Sequence, residues 1–294
     1  MNTNFGIDLK LLSDRLTLNF DYFFKRNNSM LVGIDYPTVL GTPAPWTNNG
    51  KLKVKGYELS IGWNDKIGKD FHYSITATLS DAKNKVVYIG GADSYSEGLN
   101  WARQGYPVNS YFGYLTDGYI QSEEELIEYK KIGNVYQGLR VGDLKYKDLD
   151  GDGSITPFGD GNNFKGDMVY LGDTNPRYNI GLSLAASWKG IDFSAFFQGV
   201  ARRKIMLTSI SSAPFYQPWY DPQKYFYGNT WSENNRNARY PRMSFNSDVN
   251  NWNYRTSDNR LENAAYFRLK DVQLGYSLPV SYTHLRAHET RGNL

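Results

Sequence analysis

Residues Leu16–Lys25 read LTLNFDYFFK, and their alternation decides the fold class. Leu16, Leu18, Phe20, Tyr22 and Phe24 fall on one face, with Thr17, Asn19 and Asp21 on the other. A β-strand points successive side chains to opposite faces, so this segment has one apolar and one polar wall. The pattern returns in Tyr57, Leu59, Ile61 and Trp63 against Glu58, Ser60, Gly62 and Asn64. After the turn DKIGKD it resumes in Phe71, Tyr73, Ile75, Ala77 and Leu79 against His72, Ser74, Thr76 and Thr78. About ten such residues, tilted, cross a bilayer. The segments therefore read as spanning strands of an outer-membrane β-barrel.

Working outward, short and long connections alternate along the chain. Phe5–Leu12 and Arg15–Lys25 meet at Ser13-Asp14, Val54–Asn64 and Phe71–Ser80 at DKIGKD, and Arg177–Trp188 and Ile191–Val200 at Lys189-Gly190. Long segments separate these hairpins: 26–53, 81–176 and 201–263. A last alternating stretch carries Val272, Leu274, Tyr276 and Leu278 against Gln273, Gly275 and Ser277. The expectation is an all-β, partial antiparallel transmembrane barrel of about seven strands. Short turns would face the periplasm and long loops the outside. Tyr111–Tyr119 also alternates, but one more crossing would break the parity, so it is placed within the large loop. Ser74, Thr76, Thr78, Asn179, Ser183 and Ser187 are expected to face the lumen. Leu18, Phe20, Leu59, Ile61, Ile75, Leu182 and Leu184 are expected to face lipid.

Composition fits this reading. The chain has 294 residues, 40% hydrophobic and 21% charged, with a mean hydropathy of −0.59. No run approaches the roughly 18 apolar residues of a membrane helix, whereas inward polar residues dilute a barrel's hydropathy signal. The 16% aromatic content, with 24 Tyr, suits interfacial girdles and also sugar stacking. Zero cysteines exclude disulfides and thiolate-bound metals, and a net charge of +3 gives no reason to expect nucleic acid. Met1 opens on NFGIDLKLL without a basic region or apolar core of a signal peptide, so the chain is expected to be a fragment of a longer protein. The tail SYTHLRAHETRGNL has neither alternation nor turn chemistry and looks like translated adapter sequence. The expected division is thus a barrel portion over 1–280 and a non-native tail over 281–294.

Five strings carry a family resemblance: NNGKLKVKGYELSIGWN (Asn48–Asn64), SYFGYLTDGYIQSEEEL (Ser110–Leu126), VGDLKYKDLDGDGSIT (Val141–Thr156), YLGDTNPRYNIGLSLAASWKGIDFSAFFQG (Tyr170–Gly199) and AAYFRLKDVQLGYSLP (Ala264–Pro279). In order and spacing they resemble the C-terminal half of SusC/RagA TonB-dependent outer-membrane transporters, from Asn4 to Pro279. The resemblance implies a large plugged barrel in the Gram-negative outer membrane. It also implies a plug and TonB-contacting region upstream, a SusD-like surface lipoprotein partner, and TonB-driven import of oligosaccharides or peptides. The rival readings are a passive porin or adhesin-like barrel and a secreted β-sandwich carbohydrate-binding module.

Two loop features could carry chemistry. Asp148, Asp150 and Asp152 followed by Gly153 match the opening of an EF-hand calcium loop, in which hard oxygens converge on one ion. Position 12 is Gly159 and the next acid, Asp160, arrives one residue late. A structural Ca²⁺ and a solvated acidic turn are both open, and no cofactor is required. The loop 201–263 is rich in rings, among them Phe215, Tyr216, Trp219, Tyr220, Tyr225, Phe226, Tyr227, Trp231 and Trp252. Trp219, Tyr220, Trp231 and Trp252 are the candidates for stacking a sugar, against the alternative that the rings pack the loop. Ser122 followed by Glu125 and Leu126 fits a capping box opening a short helix. Catalysis is not expected. His72 lacks an evident nucleophile, GxSxG and HExxH are missing, and Glu58 and Asp192 sit on the polar wall, where lumen solvation accounts for them.

Overall fold

The computed structural model describes residues 1–33, 41, 46–90, 97–158, 166–207, 212–215 and 219–278. The tail 281–294, Tyr216, Gly159 and Asp160 lie outside the described residues. Seven long strands form one antiparallel sheet. They are β1 (Asn2–Leu11), β2 (Leu16–Gly33), β3 (Trp46–Ile67), β4 (Phe71–Ile89), β5 (Arg177–Trp188), β6 (Ile191–Arg202) and β7 (Tyr266–Tyr276). They pair in chain order, each with the next. The expected partial barrel is present with its three tight hairpins. Between β5 and β6 the turn is two residues, Lys189 at φ 46° and Gly190 at φ 85°. Two successive left-handed residues match the twist of the flanking strands, which is why Gly follows Lys here.

Register joins the faces of single strands into continuous walls. One row runs Leu9, Leu18, Ile61, Ala77, Leu182, Phe197, Leu269 across all seven strands. The adjacent row runs Asp8, Asn19, Ser60, Thr78, Gly181, Gln198, Arg268. A one-residue slip anywhere would exchange the two walls, so the apolar surroundings fix the register. Leu16 to Phe24 spans about 27 Å along β2 at a rise of about 3.4 Å per residue. At a tilt of about 40° this gives an apolar height of about 20 Å, comparable with the band of about 25 Å on membrane barrels. Rings frame that band. Trp63, Phe71, Tyr73, Trp188 and Tyr276 stand toward the tight turns, and Tyr22, Phe24, Tyr57 and Phe267 toward the long connections. Among the described residues, no helix is long and apolar enough to cross a membrane.

Three strands outrun the lengths expected from alternation. β2, β3 and β4 have 18, 22 and 19 residues and continue past the apolar band toward the long connections. β7 begins earlier than Val272 for another reason. Its pairing with β6 shifts between Phe196↔Asp271 and Phe197↔Leu269, so Lys270 is an extra residue. That bulge reverses the parity and puts Leu269 and Phe267 on the same wall as Val272, Leu274 and Tyr276. The outer strands β1 and β7 each keep one unpaired edge within this sheet.

The packed protein core lies beside the sheet, in the long connections. As an edge strand, β7 is exposed along its whole length, on both faces. By contrast, Tyr114, Ile120, Leu126, Tyr129, Val135, Leu139, Leu144, Tyr146, Ile155, Met168 and Trp252 form one buried cluster. All but Trp252 come from the β4–β5 connection, and Trp252 comes from the β6–β7 connection. The alternating stretch Tyr111–Tyr119 belongs to this cap, as its placement in the loop anticipated. Ser110–Tyr114 pairs with Gly98–Asn100 and Met168–Asp173, and Thr116–Tyr119 with Leu144–Tyr146. Helix α1 (Glu123–Tyr129) begins as the capping pattern indicates: Glu125 N donates to Ser122 Oγ at 3.2 Å. The Glu125 carboxylate reaches back to accept from Gln121 N at 2.5 Å, one residue before the cap.

Candidate functional site

The polar wall of the sheet is the first candidate surface. Near the tight turns it forms a groove of about 730 Å³ whose lining includes Asn64, Lys66, His72, Ser74, Asp192 and Gln273. These residues come from β3, β4, β6 and β7, and strand pairing aligns them: Asn64 with Ser74, Lys66 with His72, Ser194 with Gln273. The groove offers scattered hydrogen-bonding groups without a paired nucleophile and base. It suits contact with a polar body or a solvated passage better than bond-making chemistry. The lumen residues named from the sequence, Thr76, Thr78, Asn179, Ser183 and Ser187, lie on this wall.

The second is the cap over the long connections, where the four candidate rings divide. Trp219 is 73% exposed and Tyr220 37%, with centroids 6.5 Å apart, so both are free to meet a ligand. Trp252 is not, and its assignment as a stacking ring is corrected. Helix α2 (Ser247–Asn253), capped by the Asn246 side chain, points Trp252 into the cap core. There it is 6% exposed, and its Nε1 donates to Leu144 O at 2.9 Å. Tyr146 lies 5.3 Å from it, centroid to centroid, and Tyr129 6.5 Å. Trp231 is also a packing ring: Nε1 donates to Gln121 Oε1 at 3.3 Å, and its face fills the space a Cβ on Gly142 would need. Phe245, 71% exposed, is an open ring that the sequence reading did not single out.

Buried polar groups stitch the two long connections together. Asp143, fully buried, accepts from Arg140 N at 2.7 Å, Arg242 Nη2 at 2.9 Å and Asn253 Nδ2 at 2.8 Å. Asn253 Oδ1 in turn accepts from Leu144 N at 2.9 Å. The Arg255 guanidinium stacks 3.9 Å from the Tyr114 ring centroid and hydrogen-bonds its hydroxyl and Glu97. Burial pushes the Tyr114 phenol up to about 12, partly offset by Arg255. Burial holds Arg260 below its ordinary value, and its donors are taken by the carbonyls of Tyr254 and Leu207. These arrangements tie the two long connections into one cap.

The acidic turn is the third candidate. Asp148 Oδ1 accepts from Gly151 N at 2.7 Å, and its Oδ2 from Gly153 N at 2.9 Å. Gly151 and Gly153 sit at φ 75° and 81°, the left-handed geometry that needs glycine. Asp150 stands beside Asp148, but Asp152 turns away to accept from Ser154 N at 2.7 Å. The carboxylate that completes the cluster is Asp167, with oxygens of all three within 4.8 Å of one another. Sequence spacing missed it because it lies beyond the twelve-residue loop that the EF-hand pattern covers. Asp167 is fully buried and accepts from Leu149 N at 2.6 Å and Thr156 N at 2.7 Å. Burial raises its pKa, and the nearby Asp150 and Asp148 add to the rise.

A wall polar on one side and banded by apolar residues and rings on the other defines a membrane-type barrel sheet, with a packed cap at one end. No family model matches the chain. Curated relatives do. TonB-dependent receptor P3 of Formosa agariphila is 26% identical over 303 residues, 94% of this chain and 27% of the relative. TonB-dependent receptor SusC of Bacteroides thetaiotaomicron is 26% identical over 180 residues, 50% of this chain and 18% of the relative. Among solved structures, the RagAB peptide importer in its open-open state overlays with a TM-score of 0.69 at 21% identity, covering 96% of this chain and 28% of that one. That overlay carries the fold, and the relatives bear out the SusC/RagA resemblance read from the five strings. The chain spans about a quarter of the length of the curated relatives it matches, 27% for the first.

Proposed function

We propose that this chain forms part of the barrel wall and extracellular cap of a TonB-dependent outer-membrane importer of the SusC/RagA type. It would take up oligosaccharides or peptides with a SusD-like surface lipoprotein and make or break no bond in them. The observation that carries the reading is the two-faced register that runs across seven strands, with a packed cap at one end among the described residues. Long connections on that side support an extracellular position for the cap, with the tight turns toward the periplasm. The TonB-contacting region would belong to a part of the protein other than this sheet. Trp219 and Tyr220 are the exposed rings proposed to meet substrate or the lipoprotein. A secreted β-sandwich is disfavoured by strands of 18–22 residues, well beyond the usual three to ten. Energised uptake separates the importer from a passive porin. Cells carrying the full-length protein should lose uptake of its oligomeric nutrient when TonB is deleted. Undiminished uptake without TonB would make it a passive channel.

The acidic turn is proposed as a structural Ca²⁺ site. Calcium binds carboxylate oxygens at about 2.3–2.6 Å, so ligand oxygens must approach within about 5 Å of one another, as those of Asp148, Asp150 and Asp167 do. Millimolar Ca²⁺ should slow proteolysis within 148–167, and Asp148→Asn should abolish that protection. The sign of the pH effect follows from Asp167, whose folded pKa is raised by burial. Its protonated form is favoured by folding, so this contribution is present at low pH and lost as pH rises through the raised pKa. An ion that needs the carboxylate ionised should bind more tightly across the same rise in pH. Equal proteolysis with and without Ca²⁺ would refute the site.

A further inference from the structure

We infer that the outer wall, just above its apolar band on the capped side, holds the phosphorylated headgroup of an outer-leaflet lipid. This rests on the barrel reading above and names a ligand for a surface which that reading does not use. The outward positions of β2, β3 and β4 end their apolar runs at Phe24, Tyr57 and Leu79. Continuing the same alternation, the next outward positions include Arg26 on β2, Lys55 and Lys53 on β3, and Lys83 and Lys85 on β4. Register sets Arg26 beside Lys53 and Lys53 beside Lys85, while Lys55 faces Lys83. Arg26, Lys55, Lys83 and Lys85 are exposed, and Lys53 is half-buried.

Two consecutive cross-strand Lys–Lys pairs are unfavourable in a sheet, because directly opposed like charges repel across about 5 Å. An anion seated over these two neighbouring rows relieves that repulsion. Among the described residues of this band the acid is Asp81, which is 7% exposed and held by Arg177 through two hydrogen bonds, so that its charge is shared between Arg177 and the nearby Lys83. Lys55 and Lys83 lie level with Phe24, and Arg26, Lys53 and Lys85 lie one outward row beyond the ring belt of Tyr22, Phe24 and Tyr57, at the level of lipid headgroups. Anionic headgroups attract basic side chains held at the bilayer surface. Lysine serves as a point charge for phosphate without demanding a fixed fork geometry, which suits a mobile lipid.

The test uses the full-length protein in detergent, with fluorescent diphosphoryl lipid A, its dephosphorylated form, and inorganic phosphate as probes. The comparison is between wild type, the variant Lys53→Gln/Lys55→Gln/Lys83→Gln, and a control with Lys10→Gln/Lys69→Gln/Lys189→Gln. The control removes the same charge toward the tight-turn end. Binding of diphosphoryl lipid should fall by about tenfold or more in the band variant and little in the control, and should weaken with salt. The dephosphorylated lipid should bind weakly to all three. Equal binding by wild type and band variant, or by the two lipids, would overturn the inference. Displacement of the lipid by low millimolar inorganic phosphate would also overturn it, by showing a general anion patch. Heat-resistant mobility on semi-native gels reads the barrel separately. If wild type lacks it, the barrel reading fails, whereas a heat-resistant barrel without lipid discrimination sinks only the lipid site.

Discussion

Leu59→Arg in the full-length protein should sharply reduce the heat-resistant folded species on semi-native gels, whereas Ser60→Arg should leave it intact. The two residues are adjacent on β3, but register puts Leu59 in the row Ile7, Phe20, Leu59, Leu79, Ile180. Ser60 joins Asp8, Asn19 and Thr78. On the first wall an Arg near the middle of the apolar band costs about 2–4 kcal/mol, because lipid cannot hydrate it. On the second it meets water and polar neighbours. A marginally stable protein loses much of its folded population to such a change. Equal tolerance of both substitutions would reject the assignment of the two walls.

Trp252→Ala should loosen the cap while leaving the sheet folded. The side chain is 6% exposed, packs on Tyr146 and Tyr129, and donates to Leu144 O. Truncating a buried Trp costs about 3–5 kcal/mol in lost burial and cavity formation. It also leaves the Leu144 carbonyl without a buried donor. Since α2 and the Leu144–Tyr146 strand come from different connections, both should become protease-sensitive together. Trp219→Ala is the matched contrast. Removing a ring that is 73% exposed should leave cap stability within about 0.5 kcal/mol and lower only uptake or lipoprotein binding. If Trp252→Ala lowered uptake with an unchanged protease pattern, the ring would be a ligand contact after all.

The sheet was legible because its information is local. Alternation in LTLNFDYFFK and turn chemistry at Lys189-Gly190 each act over a few residues, and both reappear in the structure. Strand ends were less legible, for two reasons. On β3 and β4 the outward positions change from apolar to Lys53, Lys55, Lys83 and Lys85, so the hydrophobic signal stops while hydrogen bonding continues. On β7 the extra residue Lys270 reverses the parity, and Phe267 and Leu269 fall out of phase with Val272. The cap was hardest to read because its contacts are distant in sequence. Asp143 meets Asn253, and Trp252 meets Leu144 and Tyr146, across more than a hundred residues. Nothing in the spacing of rings within 201–263 distinguishes Trp252, held inward by α2, from Trp219, left open. Likewise, the third carboxylate of the acidic turn is Asp167 and not Asp152, a consequence of chain return that a linear motif does not encode.

Alternate residues of these strands should face lipid and lumen. Spin labels placed singly along β5 of the full-length protein in bilayers test it most directly. Collision with oxygen should peak at Ile180, Leu182, Leu184 and Ala186, and collision with a water-soluble nickel complex at Gly181, Ser183, Ala185 and Ser187. A period of two in these opposed signals is the expected result. Uniform nickel access along β5, or a period near 3.6, would contradict the barrel wall.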